Sequence, residues 1–179
     1  PQTALSAIDS IKDLKGCKYI TVHASGGKEM LKEVKKKAKK INKDLKILGV
    51  TILTSLNNRS LKEIGYKDNI NQLVLKQAKL IKGSGCDGIV CSAQESALIR
   101  KKYKNLIIIT PGIRLPGDST NDQERIMSPR DAFKNKVSGI VIGRSLTNGN
   151  IRKNLNRLID HLKKWSKIVK FVEYQIQIY

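Results

Sequence analysis

Five short runs rich in β-branched and aliphatic residues recur along the chain, each followed by a glycine-rich or polar turn and then by a helical stretch with apolar residues three or four apart. This rhythm of strand, turn and helix specifies successive βα units. Because the runs are near-continuously apolar rather than alternating, their strands are expected to be parallel and covered on both faces. The predicted strands occupy residues 19–22, 47–53, 88–91, 106–110 and 139–142. The predicted helices occupy residues 3–15, 28–42, 61–64, 68–82, 93–100, 129–135 and 150–167. Ser128 and Pro129 read as the N-cap and first position of the sixth helix. The pattern alone fits an open doubly wound sheet and an arc of a barrel equally well, since both use the same right-handed unit. Five units do not close an eight-stranded barrel. Residues 168–179 lose the helical period and are left out of the expected core.

The net charge of +20 raises the question of nucleic acid, because neutralising phosphates releases counterions. Its distribution argues against that partner. Of the 35 cations, 27 are lysines, strewn along helix faces such as Lys28, Lys32, Lys35, Lys36, Lys37, Lys39 and Lys40, while aromatic residues for base stacking make up only 4% of the chain. A solvated lysine face is the reading taken. No apolar run approaches the roughly 18 residues of a membrane span, and the opening residues lack the pattern of a secretory signal, so no membrane partner and a cytoplasmic setting are expected. Cys17, Cys86 and Cys91 have neither paired spacing nor nearby histidines, and read as small buried residues. With only His23 and His161 besides, no metal site is expected.

Ligands of parallel βα folds bind beyond the carboxyl ends of the strands, which directs attention to the residues there. His23-Ala24-Ser25-Gly26-Gly27 follows the first strand, and reads first as a tight turn and second as a backbone anion cradle. Thr54 and Ser55 follow the second. Cys91-Ser92-Ala93-Gln94-Glu95 follows the third, where Ser92 and Glu95 fit a capping box that is enough to explain them. Thr110-Pro111-Gly112-Ile113-Arg114 leads into a long polar loop carrying Asp122, Gln123 and Arg125. Ile142-Gly143-Arg144 ends the fifth strand, and a glycine N–H beside a guanidinium suits a phosphate. Two arginines at adjacent strand ends point to function.

In order and spacing, His23-Ala24-Ser25-Gly26-Gly27, Val50-Thr51-Ile52-Leu53-Thr54-Ser55, Asp87-Gly88-Ile89-Val90-Cys91-Ser92-Ala93-Gln94-Glu95, Thr110-Pro111-Gly112-Ile113-Arg114 and Gly143-Arg144 resemble the orotidine 5'-phosphate decarboxylase family, bacterial type. The resemblance covers roughly residues 1–165. It implies an α/β fold in which residues 1–167 are five C-terminal βα units, strands 4 to 8, of a partial (β/α)8 barrel, with 168–179 as an unmatched tail. It also implies substrate binding by Pro1, Gln2, Thr3, Thr54, Arg114, Gln123, Gly143 and Arg144. Among these, Arg114 and Gln123 match residues that hold the phosphate and the pyrimidine side of the nucleotide. Gly143 and Arg144 match a phosphate-binding pair, and Thr3 matches a threonine that reaches the neighbouring subunit's site in a homodimer. The implied reaction converts orotidine 5'-phosphate to UMP and carbon dioxide in pyrimidine biosynthesis, without cofactor or metal.

In the family a lysine between two aspartates stabilises the carbanion and returns a proton, by preorganised electrostatics. That Asp-x-Lys-x-x-Asp segment is expected just upstream of Pro1, so no catalytic residue is assigned within 1–179, and the stretch as given is expected to be inactive. Asp9, Lys12, Asp13 and Lys15 fall on a helix and read as surface charges. Two alternatives are a non-catalytic remnant with residual nucleotide-phosphate binding and, on charge alone, a basic nucleic-acid-binding protein.

Overall fold

The computed structural model describes residues 1–14, 16–119 and 125–163. Its elements run α1 (Gln2–Ser10), β1 (Tyr19–His23), α2 (Gly27–Ile41), β2 (Lys46–Val50), α3 (Asn58–Glu63), α4 (Ile70–Gly83), β3 (Gly88–Val90), α5 (Ala93–Lys102), β4 (Ile107–Thr110), α6 (Pro129–Lys134), β5 (Gly139–Ile140), α7 (Arg144–Thr147) and α8 (Ile151–Lys163). A single 3-10 turn, Ala24–Gly26, joins β1 to α2.

All pairings are parallel and the strand order is β1-β2-β3-β4-β5, each strand beside its successor in the chain. This order settles what the sequence pattern left open. A doubly wound sheet reverses its order at a switch point, whereas an arc of a barrel adds strands in one direction only. The five units therefore form a partial (β/α) barrel.

Register fixes which face meets the helices. Gly49 on β2 lies under Ile81 of α4 so closely that a Cβ there would fall 2.4 Å from Ile81 Cγ1, which identifies the outer, helix-facing side. Ile47, Ile89 and Ile108 are all fully buried. They and Gly49 share this side through the pairs Gly49↔Ile89 and Ile89↔Ile108. On the opposite side Leu48, Gly88 and Ile107 stand in one row, and a Cβ on Gly88 would lie 2.5 Å from Leu48 Cδ2 and 2.7 Å from Ile107 Cβ. The missing side chain of Gly88 leaves the space that Leu48 and Ile107 occupy on this side of the sheet.

Helix boundaries follow their caps. Asn57 accepts from Ser60 N–H to start α3, and Asn69 and Gln72 form a reciprocal capping box at α4. Ser128 accepts from Asp131 N–H and Pro129 opens α6, as expected from sequence. The long amphipathic α8 sets Leu158 and Leu162 against Leu115 in a small second cluster beside the main core.

Several sequence-based boundaries move. The expected helix over residues 3–15 ends at Ser10, before the Gly16 turn, whose φ is +86°. The second and fifth strands stop at Val50 and Ile140, short of residues 53 and 142, because the chain turns to loop geometry as it leaves the sheet. The final helix is described to Lys163, so its proposed continuation with Trp165, the 168–179 tail and Lys15 lie outside the described residues.

Lys35, taken for solvated charge, is structural, and so is Arg100. Lys35 Nζ lies 2.6 Å from Asp87 Oδ2, and the same oxygen accepts from Ile47 N–H at 2.8 Å, locking α2 under the start of β3. Arg100, at the end of α5, donates to the carbonyls of Lys104 (2.6 Å), Leu106 (2.8 Å) and Lys136 (3.1 Å). Asp9 is a surface charge as expected, ion-paired with Lys37 of α2. Cys86 and Cys91 are buried and Cys17 is half-buried. Burial pushes the Cys86 thiol up to about 11, and pushes Cys91 up further.

Candidate functional site

Beyond the carboxyl ends of β4 and β5 lies a cavity of about 290 Å³. Arg114 reaches it from the end of β4, Arg144 and Ser145 from the start of α7, Arg157 from α8, and Asp118 and Ser119 from the loop after Arg114. Arg157 Nη2 donates to Asp118 Oδ1 at 2.7 Å and to the Pro116 carbonyl at 3.2 Å, tying α8 to that loop. Burial raises the Asp118 carboxyl. Hydrogen bonds from Arg157 and Ser145, with the charges of Arg157 and Arg114, outweigh it and hold the group below the usual carboxylate range. One ionised aspartate against three guanidinium groups leaves a formal surplus of positive charge. Such a cavity suits a small dianion, and planar guanidinium forks match phosphate oxygens.

The turn that aims Arg114 is tightly built. Gly112 adopts φ +75°, and a Cβ there would meet the Arg125 carbonyl at 2.8 Å and Thr54 Cγ2 at 3.5 Å. Met127 N–H donates to the Gly112 carbonyl at 3.2 Å, and Arg114 N–H to the Met127 carbonyl at 3.1 Å. Ile113 and Met127 thus form an isolated parallel bridge that brings the chain back beside the outgoing turn.

Beneath this bridge sits a buried ion pair. Arg125 Nη1 lies 2.6 Å from Glu95 Oε1, and the two side chains are 7% and 3% exposed. Arg125 Nη2 donates to the carbonyls of Leu53 (2.7 Å) and Ile52 (3.2 Å). Burial pushes the Glu95 carboxyl up, while the charge and hydrogen bond of Arg125, and lastly the Ser92 backbone, pull it down; the net direction is up. The sequence-based expectation that capping suffices for Ser92 and Glu95 is therefore corrected. Ser92 does cap α5, accepting from Gln94 N–H at 3.2 Å, but Glu95 turns inward to the guanidinium. The Ser-x-x-Glu pattern masked a role that only the return of Arg125 from 30 residues downstream creates.

The candidate residues separate into groups. Arg114 and Arg144 line the cavity together, with Gly143 as the N-cap residue of α7 beside them. Thr54 is buried against Gly112 at the end of the β2 segment. Pro1, Gln2 and Thr3 open α1 on the exposed surface and are not among the residues lining the cavity. Gln123 and Asp122 lie outside the described residues. The turn after β1 is the tight connection read from sequence: Met30 covers Gly26 and Gly27 takes φ +87°. Sequence reasoning missed Asp118, Ser145 and Arg157. Arg157 sits in a plain amphipathic helix, and its role depends on where α8 docks. Among the described residues, no group of three His, Cys, Asp or Glu is placed to hold a metal, and no helix is long and apolar enough to cross a membrane.

Residues 1–155 match the model of the Orotidine 5'-phosphate decarboxylase / HUMPS family. A curated orotidine 5'-phosphate decarboxylase of Coxiella burnetii is 41% identical over 150 residues, which are 82% of this chain and 63% of that protein. One from Buchnera aphidicola subsp. Schizaphis graminum is 42% identical over 165 residues, 91% of this chain and 70% of that protein. The chain thus spans about 63% of the length of the Coxiella relative. Among solved structures, orotidine 5'-phosphate decarboxylase from Lactobacillus acidophilus superposes with a TM-score of 0.68 at 28% identity, covering 88% of this chain and 70% of that one.

Proposed function

Because the chain belongs to the Orotidine 5'-phosphate decarboxylase / HUMPS family, we propose that residues 1–163 form the phosphate-gripping part of an orotidine 5'-phosphate decarboxylase. The protein carrying them would convert orotidine 5'-phosphate to UMP and carbon dioxide in pyrimidine biosynthesis. One observation carries this reading: the cavity at the ends of β4 and β5, where Arg114, Arg144 and Arg157 surround a space of about 290 Å³. In the proposed arrangement Arg114, Gly143 and Arg144 hold the 5'-phosphate, Gln123 completes the grip towards the pyrimidine, and Thr54 meets the nucleoside side.

Phosphate is remote from the bond that breaks, so its binding free energy serves to orient and confine the reacting pyrimidine. The chemistry itself requires a cation near the C6 carbanion, which the resemblance assigns to an Asp-x-Lys-x-x-Asp segment before Pro1. The same resemblance matches Pro1, Gln2 and Thr3 to the end of the family's catalytic segment, with Thr3 reaching a neighbouring subunit's site in a homodimer, and the setting is proposed as cytoplasmic.

Calorimetric titration of the polypeptide with UMP and with uridine tests this reading. A guanidinium–phosphate interaction of about 1.5–3 kcal/mol makes Arg144→Ala weaken UMP by roughly 10- to 150-fold and leave uridine unchanged. Equal affinity for UMP and uridine in the unsubstituted chain would sink the assignment. The polypeptide limited to residues 1–179 is expected to release no carbon dioxide from orotidine 5'-phosphate, and measurable turnover would place the reacting cation inside this stretch.

A further inference from the structure

Arg125 is outside the cavity lining, yet its side chain touches the backbone or side chains of two strand ends and its main chain touches a third. Its guanidinium donates to Ile52 and Leu53, the two residues before Thr54, and to Glu95 at the start of α5 after β3. Its own carbonyl packs against Gly112, and two residues on, Met127 exchanges hydrogen bonds with Gly112 and Arg114 after β4. A planar fork with fixed donor directions can bind a carboxylate and two carbonyls at once, whereas a lysine ammonium reaches a carboxylate as a point charge. Side chains this buried are not needed to keep the surface hydrated, and a hydrophobic pair would fill the same space without a desolvation penalty. What the ionic pair adds is a fixed geometry.

We propose that Arg125, held by Glu95, is a positioning residue that sets the separation between Thr54 and Arg114, so that the nucleoside and phosphate parts of one ligand are gripped as a unit. This rests on the phosphate-and-nucleoside reading given above. Two sites at a fixed, matching separation bind a linked ligand far more tightly than its pieces, and that advantage disappears when the spacing is lost. A structural role alone would instead weaken every ligand alike, in step with stability.

The test compares UMP with inorganic phosphate on the full polypeptide, unsubstituted and as Arg125→Lys, with Glu95→Gln as a milder second variant in case the lysine form does not fold. Thermal melting establishes that each variant is folded at the titration temperature. The expected result is that phosphate affinity stays within about twofold, because Arg114, Arg144 and Arg157 remain, while the advantage of UMP over phosphate shrinks at least tenfold in Arg125→Lys and by an intermediate factor in Glu95→Gln. An unchanged ratio, or UMP and phosphate weakening by the same factor, overturns the positioning role while leaving the phosphate site in place. If the unsubstituted chain binds neither ligand, the functional reading fails and the positioning role falls with it, an outcome separable from the first because it needs no variant.

Discussion

Gly112→Ala isolates the packing that holds the candidate site together. At φ +75° a side chain of ordinary chirality is strained by about 1–2 kcal/mol, whatever its surroundings. Its Cβ would also stand 2.8 Å from the Arg125 carbonyl, a backbone atom whose residue is anchored on its far side by Glu95, Ile52 and Leu53. Overpacking of that kind adds about 1–3 kcal/mol. Gly85→Ala supplies the matched control: φ is +79°, nothing lies within 4 Å of the added carbon, and the position is in the turn before β3, at the other end of the strands. With a urea dependence of about 2 kcal/mol per molar, the control should lower the unfolding midpoint by roughly 0.5–1 M and Gly112→Ala by roughly 1–2.5 M. The second limb of the assay is UMP affinity, which Gly112→Ala should weaken and Gly85→Ala should not. Equal midpoint shifts for the two variants would refute the close approach of the 112 turn to Arg125. A larger shift for Gly112→Ala with undiminished UMP affinity would refute the link from that turn to ligand binding.

The Asp118–Arg157 pair gives a pH signature. An unfolded aspartate titrates near its ordinary value of 3.8, and the folded carboxyl is held lower, so the group favours the fold above that value and ceases to as pH falls through the folded one. Urea midpoints of the parent chain and Asp118→Asn should differ at about pH 6, and the gap should narrow as the pH falls below the ordinary value of 3.8; a constant gap would remove the charge interaction from the account. Thiol labelling of the native protein should modify Cys17 first, with Cys86 and Cys91 reacting only as the chain unfolds, since both are buried and their thiols resist ionisation. Three equal rates would contradict the burial of Cys86 and Cys91.

Local chemistry made the βα order legible, because every strand is a run whose period differs from that of the following helix, and every well-capped helix carries its cap in the sequence. Ser128 with Pro129 reads as a cap without tertiary information, while the box of Asn69 and Gln72 falls inside the expected 68–82 helix and goes unread. Strand ends were less legible. Leu53 is as apolar as Leu48, yet it lies past the last ladder pair, with its carbonyl turned to Arg125 and its side chain exposed. Nothing in the composition of residues 47–53 records that a guanidinium from the far side of a long loop will claim those carbonyls. For the same reason Arg114 and Arg144 could be read as a pair from their places at strand ends, while Arg157 looked like one more cation on a helix surface.

The distinction between the two buried-arginine roles follows from geometry rather than residue type. Arg114 and Arg125 are both 7% exposed and flank the same loop. Arg114 lines a cavity, where a ligand dianion can share its charge. Arg125 has its charge met within the protein, by a carboxylate at 2.6 Å and two carbonyls, and is committed to the fold. A site for a small anion needs both kinds. A guanidinium lining a cavity serves the phosphate of a longer ligand only at a fixed distance from the nucleoside side, and in a turn just four residues past its strand that distance has to be set from elsewhere in the fold. The carboxyl ends of β2, β3 and β4 supply it through one side chain. Function at these strand ends therefore depends on a residue that the ligand need never touch.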